Sequence, residues 1–179
     1  MITHPTVKTR VDLAKHFGEL GFKVGAEIGV CKGKMSRVFC WYVPDLYLAG
    51  IDTWTSDPND PGDEGELNSS NERHARRILS PFHVTLLKCT SRDALKYFDD
   101  GILDFVYIDA NHTFDYVMFD IIEWSRKVKI GGIISGHDYY RIKNFNVILA
   151  VDTYLKAHPE LTGYITSDDH TPSWWWTKV

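Results

Sequence analysis

The stretch Phe22-Lys-Val-Gly-Ala-Glu-Ile28, followed by Gly29-Val30-Cys31-Lys32-Gly33, is the one from which the rest of the chain is read. Residues 22–28 form a run of strand length, and a glycine follows at once. A glycine there lets the backbone turn tightly and lets a ligand approach the main chain. The segment is not Gly-x-Gly-x-x-Gly, because Cys31 stands at the middle glycine. By itself it is equally well an ordinary tight turn, so its meaning depends on its flanks.

Upstream, residues 9–20 read as a helix. Thr9 to Asp12 fits a capping box, Leu13, Phe17 and Leu20 share a face, and Gly21 ends it. Downstream, Met35, Val38, Phe39, Tyr42 and Val43 recur at helical spacing until Pro44. Leu46 to Ile51 is a short apolar run, expected as a buried strand. Residues 53–67 are the longest irregular stretch and a candidate lid. The pattern then predicts a helix over 69–80, a strand over 82–88, a short helix over 91–98 and a strand over 103–108. A long helix over 114–128, ended by Gly131-Gly132, follows, with a strand from Ile133 and a helix over 145–157. Two last strands, 161–166 and 173–178, have no crossover between them and are expected to pair antiparallel.

Five β-α units and a terminal hairpin make an α/β, doubly wound, mostly parallel seven-stranded sheet in a single domain, residues 1–179. Trp174, Trp175 and Trp176 alternate faces of the last strand, so at least one face is expected to be exposed unless a partner or substrate covers it.

Composition narrows the class. The 179 residues carry a net charge of −4, a mildly acidic balance that does not suit a chain binding nucleic acid over its whole surface. Arg73, His74, Arg76 and Arg77 cluster, but Glu72 beside them makes a solvated helix face the simpler reading. Cys31, Cys40 and Cys89 are odd in number and scattered, and give neither a disulfide framework nor a zinc site. No apolar run approaches the roughly 20 residues of a membrane span, and the first six residues have no signal core. The expectation is a cytoplasmic protein with a small-molecule acceptor as partner and no nucleic acid or membrane, a second copy of the chain being a further candidate partner.

In a doubly wound sheet, ligands bind beyond the carboxyl ends of the strands. After the second strand comes Asp52, about 20 residues past the glycine turn, where an acid can accept from both ribose hydroxyls of a nucleoside. After the third come Thr90 and Ser91, whose hydroxyls can meet an adenine edge, although Ser91 serves equally well as an N-cap. After the fourth come Asp109, Asn111 and His112, and after the fifth His137 and Asp138. Singly, each has a bland reading: Asp109 and Asn111 cap the long helix, and His137–Asp138 is a structural pair. Together at adjoining strand ends they point to function. Asp109 and Asp138 suit Mg²⁺, His137 is a softer ligand matched to Mn²⁺, Fe or Zn²⁺, and His112 can take a proton near neutral pH. The other histidines show no such convergence.

Ala26-Glu-Ile-Gly-Val30 with Gly33, then Gly50-Ile-Asp-Thr-Trp54, Phe105-Val-Tyr-Ile-Asp-Ala-Asn-His-Thr-Phe114, and Val128-Lys-Ile-Gly-Gly-Ile-Ile-Ser-Gly-His-Asp-Tyr139 stand in order. With these motifs the chain resembles the class I S-adenosylmethionine (SAM)-dependent methyltransferases. Within them it resembles the small-molecule O-methyltransferase-like branch with Gly-His-Asp-Tyr after strand five. The resemblance runs from about Val24 to Val179 and implies a Rossmann-like fold. It further implies that Glu27 and Gly29 line the methionine part of SAM, and that Gly33 packs the helix on the sheet. Asp52 would hold the ribose, Trp54 would flank the adenine, Thr90 and Ser91 would sit near it, and Asp109 would lie by the methyl group. In metal-dependent relatives, acids after strands four and five hold Mg²⁺. Asp109 and Asp138 match those positions, and His137 replaces an acid that some of those enzymes carry.

The expected reaction is methyl transfer to a hydroxyl of a sugar, glycan or other small metabolite. His112 is the candidate base beside Asp109, with Mg²⁺ or Mn²⁺ at Asp109, His137 and Asp138. The acidic loop from Asp57 to Glu64 favours a neutral or cationic acceptor by charge repulsion. Three alternatives stand beside it: another SAM-dependent chemistry, a non-catalytic SAM-binding scaffold, and an NAD-dependent enzyme. The missing middle glycine and the terminal hairpin count against the last.

Overall fold

The computed structural model describes residues 1–56, 68–141 and 145–179. The expected lid over 53–67 and its acidic stretch therefore lie largely outside the described residues.

The elements alternate as expected. β1 (Ile2–Thr3) precedes α1 (Arg10–Glu19), β2 (Val24–Ile28), α2 (Lys34–Tyr42), β3 (Tyr47–Asp52), α3 (Asn68–Leu79) and β4 (Val84–Lys88). Then come α4 (Ser91–Ala94) with a 3-10 turn over Leu95–Tyr97, β5 (Leu103–Ile108), α5 (Phe114–Lys127), β6 (Val128–Gly136), α6 (Val147–Ala157), β7 (Tyr164–Ile165) and β8 (Trp174–Thr177). The α1 capping box forms as read: Thr9 accepts from the Asp12 amide at 3.2 Å, and Asp12 accepts from the Thr9 amide at 3.1 Å.

Among the described residues the sheet has eight strands, in the order β1-β7-β8-β6-β5-β2-β3-β4. The eighth is the two-residue β1, which pairs parallel with β7 and is too short to leave a periodic signal. β2 to β6 are mutually parallel, and β8 runs antiparallel to both β6 and β7.

Two cores cover the two faces. Leu13, Phe17, Met35 and Phe39 of α1 and α2 pack on Leu48, Phe105 and Tyr107, with Trp54, Ala75 and Leu79 extending that layer. On the opposite face Val117, Ile121 and Trp124 of α5 and Val147, Ala150 and Val151 of α6 pack on Ala26, Ile28, Val106 and Ile108. All three tryptophans of β8 are buried. Trp174 and Trp176 stack on each other on the α5–α6 side, and Trp175 stacks on Tyr164 on the other. The face expected to need an outside cover is covered from within.

The largest departure is at β6. Gly131-Gly132 do not end α5; the helix stops at Lys127 and the chain enters β6 at once. The register slips between the Leu103–Val128 and Phe105–Ile133 pairs, and the glycines absorb the slip. Gly131 is left-handed, and a Cβ on Gly132 would lie 2.5 Å from the Asp104 carbonyl.

Candidate active site at the sheet switch point

The chain leaves β2 toward β3 and β4, then returns to place β5 on the other side of β2. The crevice of a doubly wound sheet opens at such a reversal. Here Gly29, after β2, meets Asp109, after β5. Gly29 is left-handed at φ +92°, and a Cβ on it would lie 1.9 Å from the Asp109 carbonyl oxygen. The turn read from the sequence is thus one only glycine can make, because a neighbouring backbone fills the side-chain space.

Asp52 organises the adjoining loops. Its Oδ2 accepts from the Cys31 amide and its Oδ1 from the Trp54 amide, each at 2.7 Å. Cys31 and Trp54 are both left-handed, at φ +48° and +46°. A bulky residue rarely takes that conformation, and it persists where the surroundings over-determine it. Trp54 is buried against Val30, Ala75 and Leu79, and its indole N–H donates to the Cys31 carbonyl at 2.9 Å. It therefore braces the two loops against α3.

Glu27, at 1% exposure, accepts a hydrogen bond from Ser36 on the first turn of α2. Burial pushes its carboxyl well above the usual range, and Ser36 only partly offsets this. Gly33 is left-handed and packs against Ala75 and Leu79 of α3. Thr90, not Ser91, caps α4, accepting from the Asp93 amide at 3.0 Å. Ser91 is the first helical residue and bonds Asp120 and Trp124 of α5.

At the ends of β5 and β6, Asp109, Asn111, His112, His137 and Asp138 line a narrow cleft together with Trp174. His137 Nδ1 lies 3.1 Å from Asp138 Oδ1 and 3.6 Å from Asp109 Oδ1. One ligand atom from each of these three residues falls within 4.8 Å of the others. His112 Nε2 lies 2.8 Å from Asp138 Oδ2, and its ring stacks on Phe145 with centroids 4.2 Å apart. Asn111 does not cap α5 from the N-cap position; its Oδ1 accepts from the Thr113 amide at 2.8 Å in a local turn. Asp138 is left-handed at φ +58°, which turns its carboxylate between the two histidines.

Burial works against an imidazolium at His137, but Asp109 and Asp138 outweigh it and hold the ring up to about 10. Burial likewise opposes the Asp138 carboxylate, and the bonds from His112 and His137 overcome it, leaving Asp138 well below the usual carboxylate range. The remaining nitrogen of His137, Nε2, meets Thr171 Oγ1 at 3.0 Å and Arg10 Nη1 at 3.3 Å.

Every candidate read from the sequence except Trp54 and Gly33, which pack against α3, stands at a strand end or in the turn that follows it. Four contributors escaped that reading: Ser36 behind Glu27, Asp120 behind Ser91, and Arg10 and Thr171 behind His137. Asp120 did leave a signal, an acid three residues past Val117 and four before Trp124 on the buried stripe of α5.

Residues 26–139 match the family model described as a methyltransferase domain, so the chain belongs to that methyltransferase family. The α/β Rossmann-like architecture agrees with it. The O-methyltransferase from Bacillus cereus in complex with SAH superposes with a TM-score of 0.67 at 15% identity, over 98% of this chain and 82% of that one. A methyltransferase from Geobacter sulfurreducens gives 0.66 at 13%, over 94% and 78%. The precorrin-6y C5,15-methyltransferase from Geobacter metallireducens gives 0.67 at 14%, over 98% and 93%. At these identities the likeness is one of fold. No curated protein sequence matches the chain. Among the described residues no helix is long and apolar enough to cross a membrane.

Proposed function

We propose that the protein is a SAM-dependent O-methyltransferase that acts on a hydroxyl of a sugar, glycan or other small metabolite, with a divalent metal at Asp109, His137 and Asp138. The observation that carries this reading is the Asp109–His137–Asp138 cluster, with His112 on Asp138, beside the Gly29 turn at the switch point.

The residues present fit both groups. Asp52 uses two of its carboxylate's roughly four acceptor positions on backbone amides and keeps others for ribose hydroxyls. Glu27 is a buried carboxyl that desolvation holds toward its neutral form, and an ammonium or sulfonium arriving beside it would favour its ionised form. Gly29 lets the backbone of Asp109 close on the turn, and Thr90 and Ser91 take the adenine edge. SAM when bound supplies an electrophilic methyl carbon on sulfur.

The metal set is one nitrogen and two carboxylate oxygens, which suits Mg²⁺ less than Mn²⁺ or another borderline ion. The Nδ1 proton of His137 faces the Asp138 carboxylate at 3.1 Å, with that of Asp109 at 3.6 Å. A divalent ion would replace that proton, and Asp138 Oδ2 would still orient His112. Such an ion would acidify and orient the acceptor hydroxyl.

His112, which donates from Nε2 to Asp138, is held as one tautomer and is the candidate base. Asp138 fixes that tautomer and stabilises the imidazolium formed when the acceptor proton is taken. Cleft walls that aligned acceptor oxygen and methyl carbon would supply up to ~7–11 kcal/mol through orientation. Calorimetric titration with SAM and SAH, with and without Mg²⁺ or Mn²⁺, followed by a panel of sugar and phenol acceptors, tests the reading. Saturable SAM binding and metal-dependent methyl transfer to a hydroxyl support it. Turnover unaffected by a chelator would remove the metal from it.

A further inference from the structure

Ser91 is half-buried, and its hydroxyl is wired from behind. It donates to Asp120 Oδ1 and accepts from the indole N–H of Trp124 at 3.1 Å. Both partners are buried, Asp120 at 4% exposure and Trp124 fully. An indole N–H only donates, so it always occupies one lone pair of Ser91. With the hydroxyl proton committed to Asp120, what remains is a single lone pair. Thr90, next to it, is committed in the same sense: its hydroxyl donates to Asp93 Oδ2 at 2.8 Å and accepts from the Asp93 amide at 3.0 Å. Both side-chain hydroxyls at this strand end can therefore accept a hydrogen bond and cannot donate one.

We propose that Asp120 is a positioning residue that holds Ser91 as an acceptor toward the nucleobase, so that the site selects a purine with an exocyclic amine over its 6-oxo counterpart. The inference rests on the assignment of Thr90 and Ser91 to the adenine edge. An amine donates to the waiting lone pairs, whereas a 6-oxo group sets acceptor against acceptor, and an unmade buried hydrogen bond is costly.

The wiring also makes the selection depend on the state of Asp120. Burial outweighs the Ser91 bond and the charge of Arg92, which faces it from α4, and holds the Asp120 carboxyl up to about 7. A proton that settles on Oδ1 makes Asp120 the donor to Ser91. Trp124 and Asp120 then occupy both lone pairs, and the Ser91 proton turns outward. Ser91 becomes a donor, which suits the 6-oxo base.

The test is titration of the purified protein with S-adenosylhomocysteine and with S-inosylhomocysteine at about pH 8 and about pH 6. Ser91→Ala, Asp120→Ala and Asp120→Asn are titrated alongside, with melting curves to show that each folds. The wild type is expected to prefer the adenosyl compound by about tenfold or more at the higher pH, and by clearly less at the lower. Ser91→Ala and Asp120→Ala should narrow the preference at both, and Asp120→Asn should abolish its pH dependence. Unchanged selectivity in folded Asp120→Ala, or a pH-independent preference in the wild type, overturns the proposal. A wild type that binds neither compound instead removes the SAM reading, and the proposal falls with it.

Discussion

The Cα of Gly29 faces the carbonyl of Asp109 so closely that the space a side chain would need is already taken by backbone. Main-chain bonds hold the contact: the Gly29 amide donates to Ile51 at 2.8 Å, and the Asp109 amide donates to Ile28 at 2.7 Å. The cofactor turn and the first acid of the cleft are therefore one rigid unit, and a change in either is felt by both.

Gly29→Ala adds a Cβ into that contact and forces a positive φ on an L side chain. The conformational part alone costs ~1–2 kcal/mol, and the clash adds to it. Melting should fall by at least about 5 °C for a chain of this size. SAH affinity should fall with it, read by calorimetry on the folded fraction.

Asp52→Ala removes the acceptor that holds Cys31 and Trp54 in left-handed conformations. Each charged hydrogen bond is worth roughly 1.5–3 kcal/mol, so both loops loosen and SAH binding should weaken at least about a hundredfold. Asp52→Asn keeps one acceptor oxygen but turns an N–H₂ toward a backbone donor, and is expected to fall between. Wild-type affinity in Asp52→Ala would separate this acid from the cofactor.

The His137 environment gives a pH signature in chelator-treated protein. Its folded value, about 10, lies above the ordinary 6.5. The stabilisation is therefore fully present below pH 6.5 and is lost as pH rises toward 10. Asp138 has the opposite sign: its contribution is present above its ordinary 3.8 and is lost as pH falls below that. Melting temperature should peak between these limits. The deficit of His137→Gln against wild type should shrink steadily on the alkaline side, and a deficit constant from neutral to alkaline pH would contradict the pairing.

His112→Ala and Asp138→Ala separate binding from chemistry. Neither side chain touches Asp52 or Glu27, so SAH affinity should stay within about threefold of wild type. Methyl transfer should fall by roughly a hundredfold or more with the base removed. Near-normal turnover in both variants would remove the His112–Asp138 pair from the mechanism.

The α/β class, the helix limits and most strand-end candidates were legible because they depend on local rules. Apolar spacing separates helix from strand, and Gly21, Gly29 and Pro44 punctuate them. Asp52, Asp109, His112, His137 and Asp138 could be named because a doubly wound sheet puts each strand's end on one edge. What stayed illegible depends on which distant segments meet. That β2 lies between β3 and β5, joining Gly29 to Asp109, is a result of sheet order. So are the burial of both faces of Trp174–Trp176, the glycine-borne slip in β6, and the capture of β1 by β7. The buried partners Ser36, Asp120, Arg10 and Thr171 are of the same kind: a hydrogen bond needs its two atoms about 3 Å apart, and only the packed helices and sheet bring these pairs that close.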